Sequence, residues 1–143
     1  MSTDTDTDTQ AAQALRRAAN LIQVRGLNKG SFIAPHEPPA TASLCALGAL
    51  HLACGTEEAK EYGVGHTDLA STEVPRTVYY AAYSALSNEI HDPYVQAWND
   101  NPKRTRGEVV NTLRRTADRL DHPTLRSRLR RLLNRVLDGV PWR

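Results

Sequence analysis

The chain of 143 residues has 40% hydrophobic residues, 24% charged residues and a formal net charge of +2. This length predicts one domain with a modest core, and the composition excludes collagen, a coiled-coil rod and a disulfide scaffold. No apolar run reaches the roughly 18 residues that a membrane span needs, and the N-terminus lacks the basic and apolar parts of a signal peptide. We therefore expect a soluble cytoplasmic protein with no membrane partner.

The first quarter of the chain predicts a tail followed by a helix. Residues 1–9 form a Thr-Asp repeat with an acidic residue at every second position from Asp4, which predicts a disordered tail. From Gln10 onward, apolar residues recur at steps of three and four, which is the pattern of an amphipathic helix. Gly26 is a natural end for that helix.

The next segment predicts a loop and then a buried helix. Residues 27–42 contain Gly30 and three prolines, and they are expected to form an irregular loop. Ser43 is expected to cap a helix over 44–54, and Gly55 is expected to end it. This helix is apolar on nearly all sides, which is typical of a central, buried helix. Gly48 within it is expected to let a neighbouring helix approach closely.

A polar connection and two further helices follow. Residues 56–74 are expected to form the connection, and Pro75 is expected in the first turn of the next helix. Apolar residues then recur at helical spacing as far as Ile90. Asp92 and Pro93 predict the start of a short helix, because an Asp cap followed by proline is a common helix beginning.

The last two predicted helices carry half of the basic residues of the chain. Thr105 and Glu108 have the spacing of a capping box, in which the Thr hydroxyl accepts from the Glu amide and the Glu carboxylate reaches back. The final helix is expected to begin at Pro123 or Thr124 and to point its apolar residues inward, namely Leu125, Leu129, Leu132, Leu133, Val136 and Leu137. Strand-like alternation is missing. We therefore predict an all-α fold, a single compact bundle of about five helices plus a short one, over residues 10–143.

Three short motifs resemble those of a family of small actinobacterial and phage proteins that is catalogued as a domain of unknown function. They are Leu15-Arg-Arg-Ala-Ala, Cys45-Ala-Leu-Gly-Ala-Leu, and Trp98-Asn-Asp with Arg104-Thr105 and Glu108-Val109. The resemblance covers roughly residues 12–120. Two positions depart from the family pattern: Leu27 stands where an aromatic residue is expected, and Lys103 stands where glycine is usual. The resemblance implies no activity.

Cys45 is a candidate nucleophile, because the N-terminal end of a helix can lower the pKa of a thiol. A cysteine nucleophile also needs a base, and no spacing in the sequence supplies one. The alternative is a small buried core residue. An intrachain disulfide with Cys54 is not expected, since a continuous helix would separate the two by about 13.5 Å. Two free thiols favour a reducing compartment.

The segment Trp98-Asn99-Asp100 is a second candidate. It favours either a Trp anchor with a hydrogen-bonded corner or a polar pocket beside an aromatic wall. No motif supplies a metal cage or a cofactor cradle, so no metal, cofactor or catalytic residue is predicted.

The basic end of the chain is the third candidate. Residues 103–143 carry a net charge of +8, and residues 1–102 carry −6. Arg128, Arg131 and Arg135 share one face of the predicted last helix, where they could contact a protein partner or successive phosphates. An attraction between the two ends of the chain is the simpler alternative.

Three functions follow from these candidates. The first is a non-enzymatic interaction module that binds a protein partner or a second copy of itself. The second is nucleic-acid binding through the basic C-terminal helices, residues 103–135. The third is a small enzyme that uses Cys45 or the Trp98-Asn99-Asp100 corner. An exposed apolar patch would favour the interaction module. A flat basic face would favour nucleic-acid binding, and a deep pocket with Cys45 and a histidine would favour the enzyme.

Overall fold

The computed structural model describes residues 3–61 and 74–122, together with residues 129, 132–134 and 136. Most of these residues are helical, and no strand occurs among them, which confirms the predicted all-α fold. The helices with defined bounds are α1 (Thr3–Arg25), α2 (Ala46–Cys54), α3 (Glu57–Glu61), α4 (Arg76–Ile90), α5 (Val95–Asp100) and α6 (Arg106–Asp121). None of the helices in these ranges is long and apolar enough to cross a bilayer.

The helix α1 lies against α2, α4 and α6 at once. One face of α1 is fully buried, and its residues are Ala11, Ala12, Ala14, Leu15, Ala18, Ala19 and Ile22. Because most of these side chains are methyl groups, three other helices can pack closely around α1. The core therefore sits between α1 and its three neighbours. The expectation that α2 is buried is confirmed, since eight of its nine residues are buried.

The helix α1 begins at Thr3, within the Thr-Asp repeat that we expected to be a disordered tail. Acidic side chains near a helix N-terminus interact favourably with the helix dipole, which offsets the poor helix propensity of Thr and Asp. The end of α1 agrees with the sequence, because Gly26 follows it with a φ of 103° and its amide donates to Ile22 O at 2.8 Å.

The N-cap of α2 is Cys45 rather than the predicted Ser43. The Cys45 sulfur accepts a hydrogen bond from the Gly48 amide at 3.2 Å. The Ser43 hydroxyl instead donates to Arg25 O at 3.2 Å, so it ties the loop to the end of α1. The predicted helix end is confirmed, since Gly55 adopts the left-handed conformation with a φ of 60°.

Gly48 allows the loop, not a neighbouring helix, to approach α2. A Cβ atom on Gly48 would lie 2.1 Å from the carbonyl oxygen of Phe32. The same oxygen accepts a hydrogen bond from the Cys45 amide at 3.1 Å. The expectation of a close helix neighbour was therefore wrong, because the space beside Gly48 is filled by backbone of the irregular loop.

The connection after α2 contains a helix that the sequence did not predict. The Thr56 hydroxyl accepts from the Ala59 amide at 3.3 Å, and Glu57 and Glu58 lie in the first turn of α3. A Thr cap followed by two acidic residues favours a helix start. Ala59 is buried at 4% exposure, so α3 packs against the core.

The start of α5 is later than predicted. The helix α4 ends at Ile90, and its C-cap His91 adopts the left-handed conformation with a φ of 56°. The Asp92 carboxylate accepts from the Tyr94 amide at 2.8 Å, and α5 begins only at Val95. Asp92 thus stabilises the turn before α5 rather than capping a helix at Pro93.

The predicted cap of α6 is confirmed in part. The Thr105 hydroxyl accepts from the Glu108 amide at 3.2 Å, as a capping box requires. The Glu108 carboxylate accepts from the Arg104 guanidinium at 3.0 Å and from the Thr105 hydroxyl at 3.4 Å. The side chain of Glu108 therefore joins an ion pair with the residue before the cap.

The apolar residues near the C-terminus do not point inward. Residues 129, 132–134 and 136 are helical as predicted. However, Leu129, Leu132, Leu133 and Val136 are 52%, 51%, 61% and 61% exposed, so the expectation that they pack into the core was wrong. The core is already closed by α1, α2, α4 and α6. Leu125 and Leu137 lie outside the described residues, as do the predicted start and end of this last helix.

Replacement of Gly48 by Ala should destabilise the protein, although Ala is the better helix former by about 1 kcal/mol. The added methyl group would collide with backbone that Cys45 holds in place, and overpacking of this kind costs roughly 1–3 kcal/mol. We expect a lower urea midpoint with an unchanged slope.

The matched control is Gly107→Ala in α6, where the nearest atom to the added Cβ is Thr105 Oγ1 at 4.0 Å. This variant should be as stable as the parent or slightly more stable, because only the propensity gain applies. Equal stability of the two glycine variants would contradict the close approach of Phe32 O to α2.

Candidate functional site

Asn99 on α5 connects three parts of the chain. Its side chain is fully buried. The Oδ1 atom accepts from the Ala46 amide, the first of α2, at 2.9 Å. The Nδ2 atom donates to Asn28 O and to Asp100 Oδ1, each at 3.0 Å. The polar atoms of Asn99 are thus all occupied by the protein itself, which makes Asn99 a structural residue.

Asp100 holds the same corner from its outer side. Its carboxylate accepts from the Gly30 amide at 3.0 Å and from Gln96 Nε2 at 3.1 Å. Burial alone would raise the pKa of Asp100, but these hydrogen bonds, with the one from Asn99, outweigh it and lower the pKa below its ordinary value. Lys29 adds a further link by donating to Asn101 O at 2.7 Å.

Cys45 lies at this corner but is not activated. Its thiol is fully buried and donates to Gln96 Oε1 at 3.5 Å. Burial raises the pKa of Cys45 to about 11, and the hydrogen bond from the Gly48 amide only partly opposes this effect. At neutral pH the side chain is therefore a protonated thiol, which is a weak nucleophile. Burial likewise raises the pKa of Cys54 to about 11.

Trp98 faces away from the corner, into a separate cleft between α4, α5 and α6. This Trp98 cleft has a volume of about 300 Å³, and Glu89, Ile90, Trp98, Arg104, Glu108 and Arg115 are among its lining residues. The sequence interpretation of a polar pocket beside an aromatic wall fits this cleft. The polar residues are different from those expected, because Asn99 and Asp100 point into the corner instead.

Arg104 forms one side of the Trp98 cleft. Its guanidinium carbon lies 4.5 Å from the centre of the Trp98 ring, within the range of a cation–π contact. Arg104 Nε donates to Trp98 O at 3.1 Å, and Nη1 donates to Glu108 Oε2 at 3.0 Å. Three contacts therefore fix the orientation of this side chain.

Glu89 forms the opposite side of the cleft, where two arginines of α6 share its carboxylate. Oε1 accepts from Arg115 Nε at 2.7 Å, and Oε2 pairs with Arg119 Nε at 2.9 Å. The Glu89 side chain is only 9% exposed, whereas Arg115 and Arg119 are 55% and 73% exposed, so the carboxylate is shielded from water and the arginines are not. The pair of contacts also ties α4 to α6.

His51 belongs to a buried polar cluster that the sequence analysis missed. Its Nδ1 lies 2.9 Å from Thr56 Oγ1, and its Nε2 lies 3.1 Å from the Tyr79 hydroxyl. Burial lowers the pKa of His51, so the neutral ring is favoured, although the nearby Glu58 opposes this effect. The Tyr79 ring stacks on His51 at 4.3 Å. Tyr79 is 28 residues away in sequence, and no local spacing signals the contact.

The predicted site residues therefore separate into three groups. Cys45, Asn99 and Asp100 meet at one corner, where their polar atoms bind the protein itself. Trp98 lies in the neighbouring cleft. Arg128, Arg131 and Arg135 lie outside the described residues. Within the described ranges, no group of three His, Cys, Asp or Glu side chains could hold a metal ion.

Replacement of Asn99 by Ala should be strongly destabilising. It would leave the Ala46 amide and Asn28 O buried without their partner, and each such group costs about 1–3 kcal/mol. A urea melt should show a large drop in midpoint, whereas Asn111→Ala on the exposed face of α6 should change stability by less than about 0.5 kcal/mol. A small effect of Asn99→Ala would mean that the corner does not hold α2 and α5 together.

The lowered pKa of Asp100 predicts a specific loss of stability in acid. A carboxylate with a depressed folded-state pKa stabilises the fold above its unfolded pKa, about 3.9, and that contribution disappears as the pH falls through the folded-state value. The parent should therefore lose more stability than Asp100→Asn between neutral pH and about pH 2. Parallel pH profiles of the two melts would contradict the role assigned to the Gly30 amide and Gln96.

The comparisons with known proteins give one match. Residues 6–119 match the model of a Family of unknown function (DUF6197). No curated protein and no solved structure shows significant similarity to the chain. The matched stretch includes the buried face of α1, the Asn99 corner and the Trp98 cleft. The chain therefore belongs to the family DUF6197, for which no function is known.

Proposed function

We propose that this protein is a non-enzymatic helical interaction module that binds a protein partner through its C-terminal apolar face. We define this face as Leu129, Leu132, Leu133 and Val136, which are each more than half exposed. Their exposure is the observation that carries the proposal. The face lies beyond residues 6–119, the part of the chain that matches the family.

The spacing of these residues supports a docking role. Positions three, four and seven apart lie on the same side of a helix, so the four side chains form one apolar stripe. Scattered exposed apolar residues are ordinary, but a contiguous exposed stripe marks an interaction site. Helices with such a stripe bind apolar grooves or other helices.

The charges around the stripe indicate the kind of partner. The sequence has arginines at 126, 128, 130, 131 and 135, interspersed with the residues of the stripe. A second copy of this basic segment would bring like charges together. A partner helix with an apolar stripe and acidic flanks would pair its charges with these arginines. The proposed partner is therefore an acidic amphipathic helix of another protein.

The other two functions have less support. Nucleic-acid binding would use Arg128, Arg131 and Arg135, and it needs no apolar stripe. An enzyme at the corner would need free polar groups, whereas Asn99 and Asp100 bind the protein itself and Cys45 is a protonated thiol. The proposal includes no cofactor. It places the protein in the cytoplasm, where free Cys45 and Cys54 stay reduced.

The test uses a designed helical peptide with a leucine stripe and glutamates on both flanks. Its affinity for the full chain is measured by fluorescence anisotropy. We expect the double substitution Leu129→Ser and Leu133→Ser to weaken binding by more than about tenfold, because each buried leucine contributes about 1.5–3 kcal/mol. Since both residues are exposed in the free protein, the melting temperature should not fall.

Four further measurements make the result specific. Val24→Ser, which alters an 83% exposed residue of α1, should leave the affinity unchanged. A peptide with the same leucines but lysine flanks should bind much more weakly. Three results would each overturn the proposed acidic partner. The first is equal binding of both peptides, and the second is concentration-dependent dimers in sedimentation equilibrium. The third is tight binding of an unrelated DNA duplex at about 0.15 M salt.

A further inference from the structure

We infer that the Trp98 cleft is a binding site for a small organic anion, with Arg104 and Arg115 contacting its carboxylate or phosphate group. This site lies between α4, α5 and α6 and is independent of the C-terminal apolar face. It also differs from the Asn99 corner, whose polar groups are all engaged. The inference depends on the size of the cleft, on its unused hydrogen-bond donors and on the fixed positions of its arginines.

The size and walls of the cleft suit a small molecule. Its volume of about 300 Å³ is at the lower end of the range for ligand pockets, roughly 300–1,000 Å³. Trp98 and Ile90 supply an aromatic and an aliphatic wall, and polar side chains line the remainder. A ligand with one charged group and one apolar or aromatic group would match this division.

The unused hydrogen-bonding groups of the cleft are mainly donors. Glu89 Oε1 accepts from Arg115, and Glu89 Oε2 forms an ion pair with Arg119. The carboxylate oxygens of Glu108 accept from Arg104 and from the Thr105 hydroxyl. Among the described residues, Arg104 Nη2 and Arg115 Nη1 have no hydrogen-bond partner. Free donors on positively charged groups select an anionic acceptor rather than a cation.

The two arginines are held in position before any ligand arrives. Arg104 is fixed by its contacts with the Trp98 ring, with Trp98 O and with the Glu108 carboxylate. Arg115 is held by Glu89 and lies 3.5 Å from Thr112 Oγ1. A fixed guanidinium loses less conformational freedom on binding than a free one, so less of the interaction energy is lost. The lining of the cleft holds two arginines and two glutamates. Arg119, outside the lining, pairs with Glu89 as well and so adds a further positive charge beside the cleft.

The geometry does not require one anion type, because carboxylate and phosphate both accept from guanidinium groups. Phenylacetate and phenyl phosphate therefore serve as the two probes, and benzylamine serves as a cation of similar shape. The chain contains two tryptophans, Trp98 and Trp142. In a Trp142→Phe background the fluorescence reports Trp98 alone, so binding in the cleft gives a direct signal.

We expect at least one of the two anions to change the Trp98 fluorescence and to saturate at millimolar concentration. A millimolar dissociation constant corresponds to a binding free energy of about 4 kcal/mol, which is typical of a weak ligand. The anion that binds more tightly identifies the natural headgroup class. Arg104→Gln and Arg115→Gln should each weaken binding by about tenfold, the loss expected for a charged hydrogen bond of roughly 1.5 kcal/mol. Isothermal titration calorimetry repeats the comparison without relying on the fluorescence, which Arg104→Gln itself can alter.

Arg106→Gln is the matched control. Arg106 is an exposed arginine of α6, the helix that carries Arg115, and it lies outside the cleft lining. Its affinity for the probes should equal that of the parent. The inference would be overturned if neither anion gave a saturable signal, or if benzylamine bound as tightly as the anions. It would also be overturned if Arg106→Gln weakened anion binding as much as Arg104→Gln does. Melting curves of each variant confirm that the fold is intact when the titrations are compared.

Discussion

The buried side-chain amide of Asn99 is the contact on which the arrangement of this protein depends. It gives a hydrogen-bond partner to the first amide of α2 and to the carbonyl of Asn28 in the loop before α2. The first amides of a helix have no partner within the helix, so a buried helix start needs one from elsewhere. Asn99 supplies it from α5, and in doing so it fixes the loop, α2 and α5 relative to one another.

This arrangement also positions the residues on the other side of α5. Because Asn99 points into the corner, the preceding side chain, Trp98, points towards α6. Arg104 follows after a short turn and covers the Trp98 ring. The short helix α5 therefore contributes Asn99 to the buried corner and the adjacent Trp98 to the cleft. The separation explains how the corner can be purely structural while the cleft next to it keeps unused donors.

The parts of the fold that could be predicted from the sequence are those with local causes. The end of α1 at Gly26 and the cap at Thr105 follow from glycine conformation and from the three-residue spacing of a capping box. The N-cap of α2 could not be predicted, because the choice between Ser43 and Cys45 depends on the Arg25 carbonyl and on the Phe32 backbone. The Trp98 motif was visible in sequence, but the direction of each side chain was not.

Contacts over long sequence distances account for the remaining differences. The pairing of Glu89 with Arg115 and Arg119, and that of His51 with Tyr79, join separate helices and leave no local pattern. Helical spacing correctly predicted an apolar stripe near the C-terminus. It could not predict whether that stripe faces the core, since the available space is set by how α1, α4 and α6 pack.

The loop between α1 and α2 has a consequence for the biosynthesis of this chain. Asn28 and Gly30 find their partners Asn99 and Asp100 at separations of 71 and 70 residues. A chain emerging from the ribosome exposes α1, the loop and α2 well before α5 exists, and synthesis takes seconds over such a distance. Until then α2 is held only by α1 and by the loop, through contacts such as the hydrogen bond from the Cys45 amide to Phe32 O. The order of translation thus leaves the start of α2 without its partner on α5 until late, and the face of α1 that α6 covers stays open longer still.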